Sequence, residues 1–113
     1  MQFRAHASTR FAALLLTLPG FGLAAPFLVE DGEPRASIVI AKDPARSTRL
    51  AAAELQRTIA KLSGARLPIA FAPSETYPVT VFVGESSYTR DLELDIANLE
   101  NGAYRIISGS NWL

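Results

Sequence analysis

SIVIAKDPARSTRLAAAELQRTIAKLSGARLPIAF, residues 37–71, decides the fold. It opens on Ser37-Ile38-Val39-Ile40-Ala41, an apolar, β-branched run of the kind a strand shows when both its faces are covered. Asp43-Pro44 ends the run, because proline has no N–H to give to a ladder. A helix follows. Ser47 or Thr48 offers a side-chain oxygen to its first free N–H groups. Ala51, Leu55, Ile59 and Leu62 recur along one helical face. Thr58 borders that stripe, and Arg49, Glu54, Gln56, Arg57 and Lys61 fall largely off it. Glu54 and Arg57 are three residues apart and can pair. Gly64 stands where a helix stops in the left-handed conformation. Leu67-Pro68-Ile69-Ala70-Phe71 is the next strand, and Pro68 places it at a sheet edge or at a strand start. Strand, helix and strand from Ile38 to Phe71 form one crossover unit, so the two strands are predicted to be parallel.

Towards the N-terminus, Phe27-Leu28-Val29 predicts a short strand and Glu30-Asp31-Gly32-Glu33-Pro34 a turn. Further on, Pro73 and Pro78 bracket a loop, and Val79-Thr80-Val81-Phe82-Val83 is the clearest strand of the chain. Tyr88 to Leu92 fits one helical turn, and Asp95 to Gly102 reads as loop. Ala103 to Ser108 is predicted to be a strand, Gly109-Ser110-Asn111 a tight turn, and Trp112-Leu113 the start of the returning arm. The expectation is an α/β (α+β) domain: a small mixed β-sheet with one main helix packed on a face. A hairpin arm two residues long is marginal, so the sheet is expected to be incomplete at the C-terminus, as in the front of a longer protein.

Residues 1–25 carry the features of a secretory signal. Arg4 and Arg10 make a basic start, Phe11 to Leu18 an apolar run, Pro19-Gly20 a break, and Gly22-Leu23-Ala24 a small-residue cleavage region. The run is short of the ~20 residues a membrane span needs. A secreted or periplasmic location follows, with residues 26–113 as the domain. That domain is small enough to bury only about two-thirds of its unfolded surface, and with no cysteine in the chain it has no disulfide to compensate.

Charge points to no partner. The chain holds 11 basic and 11 acidic residues, and the loss of Arg4 and Arg10 leaves 9 against 11. No basic stripe is evident, so a nucleic-acid partner is not expected. Elimination constrains the chemistry more tightly. The one histidine, His6, lies in the signal, so the domain holds neither a Ser-His-Asp nor a Cys-His arrangement and no nitrogen or sulfur zinc ligands. Gly84-Glu85-Ser86-Ser87-Tyr88 superficially follows a nucleophile elbow, but Tyr88 stands where the second glycine belongs. Ser86 and Ser87 read better as helix caps. Asp91, Glu93 and Asp95 alternate and would share one side of an extended backbone, but their segment has weak order signals and a solvated loop is the better account of them. Glu30, Asp31 and Glu33 crowd a turn, and Glu54 lies on a helix flank. No catalytic residue, metal site or cofactor is predicted. Tyr77, Tyr88, Tyr104 and Trp112 are the aromatics that could stack on a sugar, though aromatics more often fill cores or interfaces.

One family shares these patterns. Leu50-Ala51-Ala52-Ala53-Glu54-Leu55-Gln56, with Ile59, Leu62-Ser63-Gly64 and Leu67-Pro68-Ile69, resembles the helix and next strand of the N-terminal domain of bacterial alpha-glucuronidases. Val81-Phe82-Val83-Gly84-Glu85-Ser86 resembles the strand after it. Gly102-Ala103-Tyr104-Arg105-Ile106 is similar to a Gly-Tyr-Arg-Ile strand, with Ala103 inserted. The N-terminal domain of beta-N-acetylhexosaminidases is similar too, as are domains of large secreted proteins placed beside glycoside hydrolases. The likeness spans Ser37 to Leu113 and rests on apolar, structural positions. It implies a non-catalytic α/β unit packed against a catalytic barrel that carries the reacting carboxylates, and it assigns no catalytic residue here. The expected partners are that barrel and a polysaccharide. The rival expectation is a stand-alone secreted module that binds a carbohydrate or another partner.

Overall fold

The computed structural model describes residues 27–113, so the signal expected at residues 1–25 lies outside the described residues. The architecture is α+β: an antiparallel pair of strands, a three-stranded parallel sheet and one main helix. Strands β1 (Val29–Glu30) and β2 (Glu33–Pro34) pair antiparallel, Val29 opposite Pro34 and Glu30 opposite Glu33. Asp31 and Gly32 between them both have positive φ, 51° and 75°, as a two-residue hairpin loop of matching twist requires. Arg35 Nε lies 2.9 Å from the Glu30 carboxylate across this ribbon.

Strand β3 (Ala36–Val39) is the centre of the parallel sheet, flanked by β4 (Ile69–Ala70) and β5 (Val79–Phe82). Ile38 sits opposite Ile69 on one side and Val81 on the other. All four β3 residues are buried, as the β-branched run predicts for a strand covered on both faces. Ala36, Ile38 and Ile40 face the main core with Val79 and Val81, while alternation puts Ser37 and Val39 on the opposite face. Pro68 is at the edge strand, where its carbonyl accepts from Ile38 N–H at 2.8 Å and its missing N–H costs no ladder bond.

Helix α1 (Arg46–Ser63) connects β3 to β4. It starts earlier than the serine and threonine suggest. Ala45 is the N-cap and provides no side-chain cap, so Ser47 and Thr48 are already inside the first turn. Pro44 explains this: it disfavours helical geometry for the residue before it and leaves the chain free to wind from Ala45 onward. The far end follows expectation, with Gly64 at φ 77° donating to Ala60 O at 2.8 Å. The buried side of the helix is turned by one residue from the stripe expected at Ala51. Ala52 is fully buried, Leu55 and Ile59 pack on the core, Ala51 is exposed, and Leu62 is 83% exposed.

The C-terminal region departs from the expected hairpin. Ala103 to Ser108 is not a strand, and Tyr104 and Ile106 are 81% and 74% exposed. Trp112 pairs with Thr80 of β5, parallel rather than antiparallel. Thr80 N–H donates to Asn111 O at 3.0 Å, Leu113 N–H to Thr80 O at 3.0 Å, and Phe82 N–H to Leu113 O at 2.7 Å. β5 had unpaired backbone groups along its outer side, and these three bonds satisfy them directly. Across the turn Gly109 N–H donates to Trp112 O at 2.9 Å. The indole explains the glycine, since a Cβ at residue 109 would stand 2.2 Å from Trp112 Nε1.

Candidate functional site

All strands of the parallel sheet end on the same side, and the chain leaving β5 there builds the main cleft. Gly84, at φ 75°, makes the first bend, and a Cβ on it would fall 2.8 Å from Thr48 Oγ1. The β5 exit is thus pressed against the first turns of α1. Ser86 then caps helix α2 (Ser87–Asp91). Its N–H donates to Thr89 Oγ1 at 2.8 Å, and Thr89 N–H donates back to Ser86 Oγ at 3.3 Å. This reciprocal box satisfies two helix-end donors. Ser86 is buried by it and acts as a cap, the role expected over that of a nucleophile. α2 lays Tyr88 on Phe82, with ring centroids 6.2 Å apart and planes 25° from parallel.

Residues 93–107 close the cleft. Glu93, Asn98 and Asn101 have positive φ, 51°, 66° and 56°, so this is a chain of turns. Asp91, Glu93 and Asp95 are all exposed and share no extended backbone. Arg105 ties the segment together: its guanidinium donates to the Asp95 carbonyl and lies 3.4 Å from the Asp95 carboxylate. The cleft measures about 930 Å³. Its floor is Leu55, Val81 and Phe82, its polar wall includes Glu85, Thr89, Arg90 and Glu93, and its far wall includes Ile96, Leu99, Tyr104, Ile106 and Trp112. Of the four candidate aromatics, Tyr104 and Trp112 line it, Tyr88 stacks beside it on Phe82, and Tyr77 is half-buried elsewhere. Glu30, Asp31 and Glu33 stay in the β1–β2 hairpin, and Glu54 is paired with Arg57 on α1. Among the described residues no group of three acidic or histidine side chains could hold a metal ion. The cleft can offer apolar and aromatic contact, a cation at Arg90 or Arg105, and exposed carboxylates at its mouth.

A second surface was missed in the sequence. Arg46, Leu50, Arg57 and Lys61 share the outward side of α1, spaced by four, seven and four residues. Leu50, Arg57 and Lys61 border a shallow groove of about 620 Å³ that Arg66 also lines. The expectation that the domain carries no basic stripe is corrected here. One acid, Glu54, shares this groove and pairs with Arg57, while most of the remaining acids lie elsewhere in the sequence, so the overall count concealed the stripe. Winding the sequence at 100° per residue would have revealed the stripe.

Comparison with family models, with characterised proteins and with solved structures finds no match to this chain.

Proposed function

We propose that residues 26–113 are a non-catalytic accessory domain of a secreted carbohydrate-active protein, with a glycoside hydrolase of the alpha-glucuronidase kind as the parent and residues 1–25 as its export signal. The observation that carries this reading is the apolar far wall of the cleft. Ile96, Leu99, Tyr104 and Ile106 are each at least 36% exposed and line one surface. Large apolar side chains grouped this way mark a contact with another protein surface, and a catalytic barrel is the partner that the strand and helix motifs of residues 37–113 imply. The domain braces the barrel, and the reacting carboxylates belong to the barrel. The test is to raise an antibody to the domain and measure the native antigen in the culture fluid of the producing cell. A large polypeptide that co-purifies with glycosidase activity is the expected result. A species of 12.2 kDa or less as the sole antigen would refute the reading.

A stand-alone binding module is the second reading, favoured by Tyr104, which stands 81% exposed beside Arg105 at the same cleft. Affinity electrophoresis in gels cast with neutral polysaccharides separates the two. A sugar-binding module is retarded and loses the retardation on Tyr104→Ala, whereas a brace migrates freely in every gel.

A further inference from the structure

We infer that the outward face of α1 is a docking surface for an anionic lipid bilayer. The inference rests on this face alone and is independent of the accessory-domain reading. Arg46 and Lys61 mark the ends of a stripe roughly 22 Å long at 1.5 Å per residue, with Leu50, Arg57 and one acid, Glu54, between them and Arg66 beside it. Among the described residues, Arg46, Arg49, Lys61 and Arg66 form no ion pair, and Arg57 has only its neighbour Glu54.

The placement of these cations works against the helix. The first turn of α1 holds no acid but carries Arg46 and Arg49 at the positive end of the macrodipole, where cations are disfavoured. Ala45 adds no side-chain cap, so free N–H groups point the same way. An external anion relieves both.

The chemistry of the stripe favours a bilayer over a dissolved polyanion. Leu50 sits among the cations and is 59% exposed. A phosphate chain has no use for a leucine, while the boundary between headgroups and acyl chains takes both, the cations reaching outward and the apolar side chain inward. The geometry agrees. The acidic part of the chain, from Glu75 to Glu100, has six carboxylates and one arginine, and its residues Glu85 and Glu93 line the cleft that starts on Leu55. Leu55 is roughly 140° round the helix from Leu50. A flexible polyanion wrapping the domain would meet those carboxylates, whereas a flat surface touches the α1 face alone. Among the described residues no helix is long and apolar enough to cross a membrane, so the contact proposed for α1 is one along the surface.

Flotation of the full chain with phosphatidylcholine vesicles, with and without 30% phosphatidylglycerol, tests this. The readout is the ratio of binding to the two compositions, which cancels lipid affinity shared by both. Arg4→Gln with Arg10→Gln controls for the cations near the N-terminus and is expected to leave most of the ratio intact. Each basic residue near an anionic surface contributes about fivefold, so Arg57→Gln with Lys61→Gln should cut the ratio about 30-fold. Salt at 1 M should abolish the preference, because screening then acts within about 3 Å. Leu50→Ser should weaken binding several-fold. Circular dichroism of each variant confirms that the helix is retained. A ratio unchanged by the α1 variants, or lost with Arg4 and Arg10, overturns the proposal. Inorganic polyphosphate competing as well as the vesicles, with Leu50→Ser without effect, replaces the bilayer by a soluble polyanion.

Discussion

Gly84→Ala probes how the β5 exit is locked to α1, and its cost divides into two terms. The backbone at residue 84 has φ 75°, where an L-residue loses roughly 1–2 kcal/mol. The new Cβ would also stand 2.8 Å from Thr48 Oγ1 and 2.9 Å from Thr48 Cγ2. Overfilling of this kind costs about 1–3 kcal/mol. The single variant should therefore lose about 2–5 kcal/mol, a large share of the roughly 4–13 kcal/mol expected of a domain this size. Thr48→Ala removes the second term alone. It keeps only a Cβ, 3.5 Å from the added methyl, which is ordinary contact, and alanine suits the helix better than threonine by up to about 0.7 kcal/mol. In the Thr48→Ala background, Gly84→Ala should cost just the roughly 1–2 kcal/mol of backbone strain. The assay is urea unfolding of the four proteins of the cycle. At about 1 kcal/mol per molar urea, the second background should recover roughly 1–3 M in midpoint relative to the sum of the single effects. Equal costs for Gly84→Ala in both backgrounds would show that residues 48 and 84 are not in contact, and the packing of the β5 exit against α1 would fail with it.

Three further substitutions probe separate features. Ser37 is 1% exposed and its Oγ has no hydrogen-bond partner among the described residues, so Ser37→Ala should be neutral or stabilising by about 1 kcal/mol; a loss above 1 kcal/mol in thermal unfolding would mean that the hydroxyl is bonded. Ser86→Ala removes the cap of α2 and should cost about 1 kcal/mol, with faster amide exchange confined to residues 87–92; protection unchanged there would contradict the capping box. Gly109→Ala should displace the indole that stands 2.2 Å from the added carbon and red-shift the emission of the one tryptophan; an unmoved spectrum would place Trp112 elsewhere.

The parallel unit was legible because its signals are local and mutually consistent. Ile38 to Ala41 is apolar at successive positions, as suits a doubly covered strand, and Gly64 and Pro68 mark a helix end and a strand start by backbone chemistry alone. The rotation of α1 was harder to read. Ala51, Ala52 and Ala53 are identical, so the sequence leaves the buried one undetermined, and Leu62 suggested a stripe that the core does not use. The cap was misplaced because Ser47 and Thr48 are good caps in general, whereas Pro44 acts on the chain before them. The site was legible in parts. Ser86 followed from its position after a strand, but the basic face of α1 disappeared into a balanced charge count. The union of residues 84–113 into one cleft depends on contacts distant in sequence.

The C-terminal pairing decides what the cleft is made of. Residues 103–108 have the alternating apolar composition of a strand, and in a hairpin Tyr104 and Ile106 would share one covered face. Residues 111–113 instead add parallel to β5, and a parallel neighbour cannot be reached by a tight turn but needs a connection that travels back along the sheet. Residues 93–110 are that return path. They run outside the sheet, with Arg105 held to Asp95, and Ile96, Leu99, Tyr104 and Ile106 stay exposed at the surface. The same three backbone bonds that complete the β5 edge therefore put Tyr104 and Ile106 on display. If those bonds are weakened, the display should collapse with them. Thr80→Pro deletes the N–H that Asn111 O accepts without touching the cleft wall, and it should both free the C-terminal residues and lower the binding of an apolar dye to the cleft. Loss of the pairing with full retention of dye binding would mean that residues 93–107 hold their shape unaided, and that the cleft owes nothing to the parallel edge.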